Sequence, residues 1–289
     1  MRWWLLPLLA LALLAPRQEC AVRPLLSYAP PAGTPVPAGV LEAGGTWQLL
    51  PPLRPGHPAA RLGTDRAGRD NLCLNARGLR RSLLLVLGVV LLGLGPGAAL
   101  GLWLGWRGQA GRLPNEVATI VALSLLLGPQ AFRAVLVVGV ALLAARLVAV
   151  RVTALRREPF IEGALALGAG TPHLLRRQLW PLLRASVPGW GAAALGGVFL
   201  WLMELGALGF YDRGVVRVAF TDAYDRAQDI APFPVGADLG QLVSAGRWAW
   251  LDTPEGLVLP GALLALLTLA LADLARWAAR RWDDGDGEA

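Results

Sequence analysis

Apolar residues run through this chain in long blocks, and the polar ones gather in the gaps between them. Leu83 to Trp106, Ala134 to Val150, Pro188 to Leu208 and Leu257 to Ala275 approach or reach the roughly 20 apolar residues that cross a hydrocarbon core, so each is expected to span a membrane as a helix. Two shorter blocks extend the series. Trp3 to Ala15 follows Arg2 and reads either as a first spanning helix or as the core of a cleavable leader; the lack of a clean small-x-small cleavage site favours the helix. Val117 to Gly128 is short enough to thin the bilayer or to form one arm of a tilted hairpin. The expected fold is all-α, a polytopic membrane protein of about six transmembrane helices.

Composition agrees with a bilayer. Of the 289 residues 55% are hydrophobic and only 16% charged, and the mean hydropathy of +0.50 is too high for an ordinary soluble domain. All 27 basic residues are arginine, which fixes the net charge of +7 at any ordinary pH. They cluster at the ends of the apolar blocks: Arg107 and Arg112; Arg151, Arg156, Arg157, Arg176, Arg177 and Arg184; Arg276, Arg280 and Arg281. Short arginine-rich loops stay in the cytoplasm, and with six spans and a cytoplasmic start all three groups fall on that side. Nucleic acid would need these charges on one soluble face, so membrane lipid is the expected partner and nucleic acid is not.

Absent residue types exclude further chemistry. Without a lysine the chain holds neither a phosphate-cradling G-x-x-x-x-G-K-[ST] loop nor a Schiff-base lysine, so it is not its own ATP motor. His57 and His173 are its only histidines and Cys20 and Cys73 its only cysteines, which makes a closed zinc site improbable; no metal, cofactor or catalytic residue is expected. Both cysteines fall in the expected outer loop, residues 17–82, where oxidation is allowed and pairing stays open. Pro24 to Pro58 within that loop is rich in proline, glycine and alanine and reads as irregular.

One polar segment is more specific than its composition. From Glu162 to Pro181 the chain reads as a helix, a turn permitted by Gly168 and Gly170, and a second helix with Thr171 as cap and Pro172 in its first turn, which Pro181 ends. Leu174, Leu175 and Leu179 are spaced to share one face, with Arg176 and Arg177 on the other; any amphipathic surface helix shows that pattern. His173 reads as a solvated helix residue.

Glu162, Gly163, Ala164, Gly168 and the Trp180-Pro181 close follow the E-A-A-x-x-x-G and Leu-Pro pattern of the loop by which ATP-driven importers join membrane subunit to motor, and the segment resembles that coupling loop. Gly163 stands for the first alanine of the motif, at a helix cost of about 1 kcal/mol, and Trp180 for its leucine. Gly63-Thr64-Asp65 and Gly68-Arg69-Asp70, then Gly78, Arg80, Ser82 and Leu83, are similar to the opening of the C-type membrane permease subunit of the oligopeptide, dipeptide and nickel importers. Without the resemblance they read as solvated turn chemistry; with it, as a collar seating the second helix at the outer surface. Leu239-Gly240, Ser244 to Arg247 and Pro260-Gly261 resemble the family's C-terminal signatures, with Leu239 in place of a tryptophan and Ala272-Asp273 in place of Gly-Asp.

The resemblance covers about Leu62 to Arg281 and is interrupted by an acidic and aromatic insertion, Phe210 to Gly236, and by shortened third and fourth spans. It implies a first helix or signal anchor at 1–16, a permease domain at 83–281 with a coupling loop at 155–184 and an extracytoplasmic insertion at 210–255, and an acidic cytoplasmic tail at 282–289. It implies a multi-pass permease of the cell inner membrane that passes peptides, nickel or another small solute. The implied partners are a second permease subunit, two ATP-binding-cassette ATPase subunits and an extracytoplasmic solute-binding protein. The ATPase-coupling residues carried over are Glu162, Gly163, Ala164, Gly168, Thr171, Leu174, Leu175, Arg176, Leu179 and Pro181. Glu204, at a glutamate position of the family's fifth span, is the candidate for the translocation path, against an outer-interface reading in which it stays solvated. Asp273 reads as a cap or an arginine partner, and the glycine-rich faces at Gly93 to Gly101 and Gly191 to Gly197 suit a partner helix. The alternative is a non-transporting scaffold or degenerate relative that keeps the loop.

Overall fold

The computed structural model describes residues 20, 40–43, 46–49, 52–56, 60–65, 68–212, 215–221, 228–234, 238–251 and 253–283. In chain order the protein has a hairpin of β1 (Val40–Ala43) and β2 (Thr46–Leu49), then α1 (Asn71–Trp106), α2 (Glu116–Leu127), α3 (Phe132–Arg156), the short helices α4 (Pro159–Ala166) and α5 (Thr171–Leu174), and α6 (Trp180–Ala207). A second hairpin of β3 (Val215–Thr221) and β4 (Gln228–Pro234), helix α7 (Leu239–Trp248) and helix α8 (Glu255–Asp283) follow. The described chain is mostly helical. Among the described residues five segments are long and apolar enough to cross a membrane: Asn71–Trp106, Ala110–Leu127, Pro129–Arg156, Ser186–Ala207 and Glu255–Trp277. That fits a multi-pass membrane protein. The expected first span, Trp3 to Ala15, and residues 284–289 of the acidic tail lie outside the described residues.

Boundaries differ from the sequence reading in three places. Helix α1 starts twelve residues before Leu83, at Asn71, because Asp70 caps it: its carboxylate accepts from the backbone N–H of Leu72 and of Cys73, both at 3.2 Å. The span expected at Ala134 to Val150 is not shortened, since α3 runs on through two arginines to Arg156. Within the expected span, Arg146 lies 3.0 Å from Glu116 and donates to the Pro114 carbonyl at 2.8 Å, so a charge that lowers the hydropathy there is paired. Helix α2 is short as expected, 12 residues or about 18 Å. The hairpin β1–β2 occupies part of the stretch read as irregular, and β3–β4 most of the insertion, each antiparallel with Val40 opposite Leu49 and Val215 opposite Pro234.

The chain divides into two compact units, Met1–Leu83 with Met203–Leu264, and Leu84–Leu202 with Ala265–Ala289. In the first, the glycine-punctuated turns form a closed collar. Asp65 accepts from the Arg69 backbone N–H and from its Nε, both at 2.8 Å, and Thr64 accepts the Leu53 N–H through its hydroxyl at 2.8 Å. Cys20 and Cys73 form a disulfide, with their Cα atoms 5.6 Å apart, and the Cys20 carbonyl accepts from the Asp70 N–H. The buried Ser82 hydroxyl accepts from the Leu239 N–H at 2.9 Å, which satisfies one of the free donors at the start of α7.

Asp238, outside the five apolar segments, caps α7 by accepting from the Gln241 N–H at 2.9 Å. Burial pushes its carboxyl above the usual aspartate range, partly offset by that hydrogen bond. A carboxyl whose folded pKa is raised binds more protons in the folded state, so stability falls as pH climbs from the ordinary range through the folded value. Asp238→Asn keeps the cap and removes the charge. It is expected to be at least as stable as wild type at neutral pH, with the difference vanishing below about pH 3.9, whereas Asp238→Ala, which loses the cap as well, is expected to lie about 1 kcal/mol below Asp238→Asn at any pH. Thermal unfolding across pH checks both.

The second unit is built on close helix contact. Gly93, Gly97, Gly101 and Gly105 recur at intervals of four along α1 and lie against α3. A Cβ on Gly93 would sit 2.8 Å from the Val137 carbonyl oxygen, and one on Gly105 2.8 Å from that of Ala149; at Gly97 and Gly101 the backbones of Ala141 and Ala145 are nearer still. Both residue series rise together, so α1 and α3 run parallel. Gly189 lies against Ala275 and Gly196 against Leu271, which makes α6 and α8 antiparallel. Ile120 of α2 is buried against Gly139 of α3. The glycine faces at Gly93 to Gly101 and at Gly196 and Gly197 are therefore filled from within the chain rather than left for a partner, because only a residue without a Cβ lets two backbones come this near.

Candidate functional site

The polar segment joins α3 to α6 within the second unit. After α3 ends, the N–H groups of Arg157 and Glu158 return to the carbonyls of Ala154 and Leu155, and Pro159 opens α4 at a position where no N–H is needed. Glu162 lies in the first turn of α4, exposed, where its charge suits the helix dipole. Gly163 is also exposed, with nothing within 4 Å of a Cβ placed on it, so its departure from the alanine of the motif is a matter of helix propensity and not of space.

Gly168 ends α4 by adopting φ of +83°, and the Ala169 N–H then reaches back to the Ala164 carbonyl at 3.0 Å. That six-to-one bond across a left-handed glycine is the bond of a Schellman cap, and Ala164 and Ala169 on either side of it both pack against the core. The Gly170 carbonyl next accepts from the N–H groups of His173 and Leu174, so α5 begins at Thr171 with Pro172 in its first turn. His173 is exposed, as expected of a solvated helix residue.

Two expectations are corrected here. Pro181 does not end the second helix: the chain passes through a π turn, Leu175–Leu179, closed by the Trp180 N–H on the Leu175 carbonyl, and continues as α6 with Pro181 in its first turn. The wider turn absorbs the register change, and Pro181, which has no N–H to give, sits at the junction where i to i+5 bonding passes into the α-helical pattern. The shared leucine face, carried over as a docking surface, packs instead within the chain. Leu174 and Leu179 are completely buried with Ile161, Val148, Val152, Leu155 and Leu183, and Leu175 packs beside them. The i to i+5 turn brings residues five apart, Leu174 and Leu179, onto this one core, so apolar area removed from water holds the segment rigidly to the end of α3.

What the segment presents outward is different. Leu167, next to the turn, is 91% exposed, the most exposed large apolar side chain among the described residues. Phe160 and Trp180 are each about half exposed, and Arg177, Pro181 and Arg184 are exposed as well. Arg176 lies in the π turn. Periodicity pointed to the leucines; the signal for Leu167 was its place immediately before the turn glycine, where no packing partner is within reach.

Glu204 lies in the last turn of α6, half-buried, with its carbonyl accepting from the Leu208 N–H; it belongs to the first unit, apart from the coupling residues. Asp273 pairs with Arg276 at 2.6 Å, as its reading as an arginine partner expected. No family model matches the chain, and no curated protein matches it.

Proposed function

We propose that this chain is the membrane permease subunit of an ATP-binding-cassette importer, in which α4, the Gly168 turn and α5 form the coupling segment that receives the motion of separate ATPase subunits. One observation carries this: the segment is fixed to the chain by its own leucine core yet leaves an apolar residue, Leu167, bare beside the Gly168 turn, while Arg177 and Arg184 further along are also exposed. A rigid knuckle transmits a push, and a segment that exposes both an apolar knob and arginines fits a cleft with an apolar floor and acidic walls.

Two sidedness signals support the placement of this segment in the cytoplasm. The disulfide at Cys73, in the first turn of α1, belongs to an oxidising compartment. The other end of α1 carries Arg107, and the parallel α3 ends at Arg156 and Arg157. Arginine-rich ends stay inside, so both signals give α1 the same direction. The solute, a peptide, a nickel complex or another small molecule, would be delivered by a soluble binding protein and would pass between this chain and a second permease, with Glu204 as candidate path residue.

Co-purification from membranes tests the reading. A Cβ at Gly168 meets nothing within 4 Å, so Gly168→Asp acts through the backbone: φ of +83° costs an L-residue about 1–2 kcal/mol and tilts the turn. Wild type is expected to retain the ATPase subunits and Gly168→Asp to lose them; equal recovery contradicts the assignment.

A further inference from the structure

The arginine-rich ends of α1 and α3 hold a second candidate site, exposed on the surface and independent of the transport reading. Arg107 stacks over Trp103, with its Cζ 4.1 Å from the ring centroid, and Arg156 over Trp106 at 5.6 Å. Arg156 also donates one Nη1 hydrogen to the Trp106 carbonyl, which ties the end of α3 to the last turn of α1, one turn from Trp103. Close packing of Gly105 on Ala149 and Val152, with the Thr153 hydroxyl 3.3 Å from the Gly105 carbonyl, fixes their register. Trp103, Arg107 and Arg156 are exposed.

Charge makes this arrangement specific. Among the described residues, no carboxylate lies within ion-pair distance of Arg107, Arg156 or the exposed Arg157 that follows. A guanidinium carries five donors, and Arg156 spends one on the Trp106 carbonyl. The rest point to an anion supplied from outside the chain. The two tryptophans close the apolar length of α1 at the depth where indoles meet headgroups, and stacking has already removed water from one face of each guanidinium. A phosphodiester with acyl chains satisfies both halves: its oxygens accept from planar forks, and its first methylenes lie along the indoles.

We propose that the paired ends of α1 and α3 bind the phosphate of an anionic phospholipid, with Arg107 and Arg156 holding the headgroup and Trp103 and Trp106 packing on the glycerol and upper acyl carbons. Native mass spectrometry and thermal unfolding of the full chain in neutral detergent, titrated with phosphatidylglycerol, phosphatidylcholine or inorganic phosphate, test this. Phosphatidylglycerol is expected to bind and to raise the unfolding temperature, and phosphatidylcholine to do neither at the same concentration. Arg107→Gln leaves the Arg156 to Trp106 tie in place and is expected to weaken phosphatidylglycerol binding about tenfold without lowering the lipid-free unfolding temperature. Arg107→Lys, which keeps the charge but loses the planar fork, should fall between the two. Inorganic phosphate giving the same stabilisation would overturn the lipid assignment, and so would phosphatidylglycerol binding that Arg107→Gln leaves unchanged.

Discussion

Valine at Gly97 is expected to part α1 from α3 and to cost about 3 kcal/mol or more, whereas valine at Gly88, on the same helix, costs about 1 kcal/mol or less. The pair shares chemistry and helix propensity and differs in what the new side chain meets. At Gly88 nothing lies within 4 Å; at Gly97 a Cβ already collides with the backbone of Ala141 and stands 2.8 Å from the Ala144 methyl. Rotation of a side chain cannot relieve a clash with main chain, so the helices must separate. The seam continues through Gly93, Gly101 and Gly105, and its contacts are lost together. Thermal or denaturant unfolding in detergent reads the difference, and equal costs would show that α1 and α3 do not meet along this line.

The second large effect is expected at Leu167. At 91% exposure the side chain contributes almost nothing to the fold, so Leu167→Glu should leave stability within about 0.5 kcal/mol. Its effect on assembly is the reverse. A carboxylate pressed into an apolar floor between acidic walls is desolvated and repelled, and recovery of ATPase subunits should fall about tenfold or more. Folding and docking thus separate at one position, which the buried Leu174 and Leu179 cannot offer: truncating either leaves a cavity in the core that holds the segment, costing about 2–5 kcal/mol.

Much of this was legible in the order of residues. Long apolar blocks carry their own evidence, because a bilayer leaves the backbone no choice but helix, and Gly168 followed by Gly170, Thr171 and Pro172 encodes a stop and a start in sequence. Contact between helices was not legible. Gly93, Gly97, Gly101 and Gly105 mark a surface for close approach, but whether it meets another chain or α3 depends on residues 44 positions further along. Leu174, Leu175 and Leu179 were legible as one apolar face, but that it packs on the end of α3 was not, because the π turn and the residues it meets are set by tertiary contact. Gly44-Gly45 between Ala43 and Thr46 is a two-residue hairpin signal that proline-rich surroundings masked. The start of α1 was missed because Asn71, Asn75 and Ser82 read as polar loop, while their burial on one helical face is tertiary.

Both native cysteines are joined to each other, so Leu167→Cys gives the chain one free thiol, at the tip of the knuckle. In sealed membranes holding the assembled complex, that thiol is expected to react with an impermeant maleimide only from the cytoplasmic side and to form, with a short bifunctional reagent, an adduct to an ATPase subunit. Reaction from the outer side, or a freely reactive thiol that yields no such adduct, would contradict a coupling role for this segment.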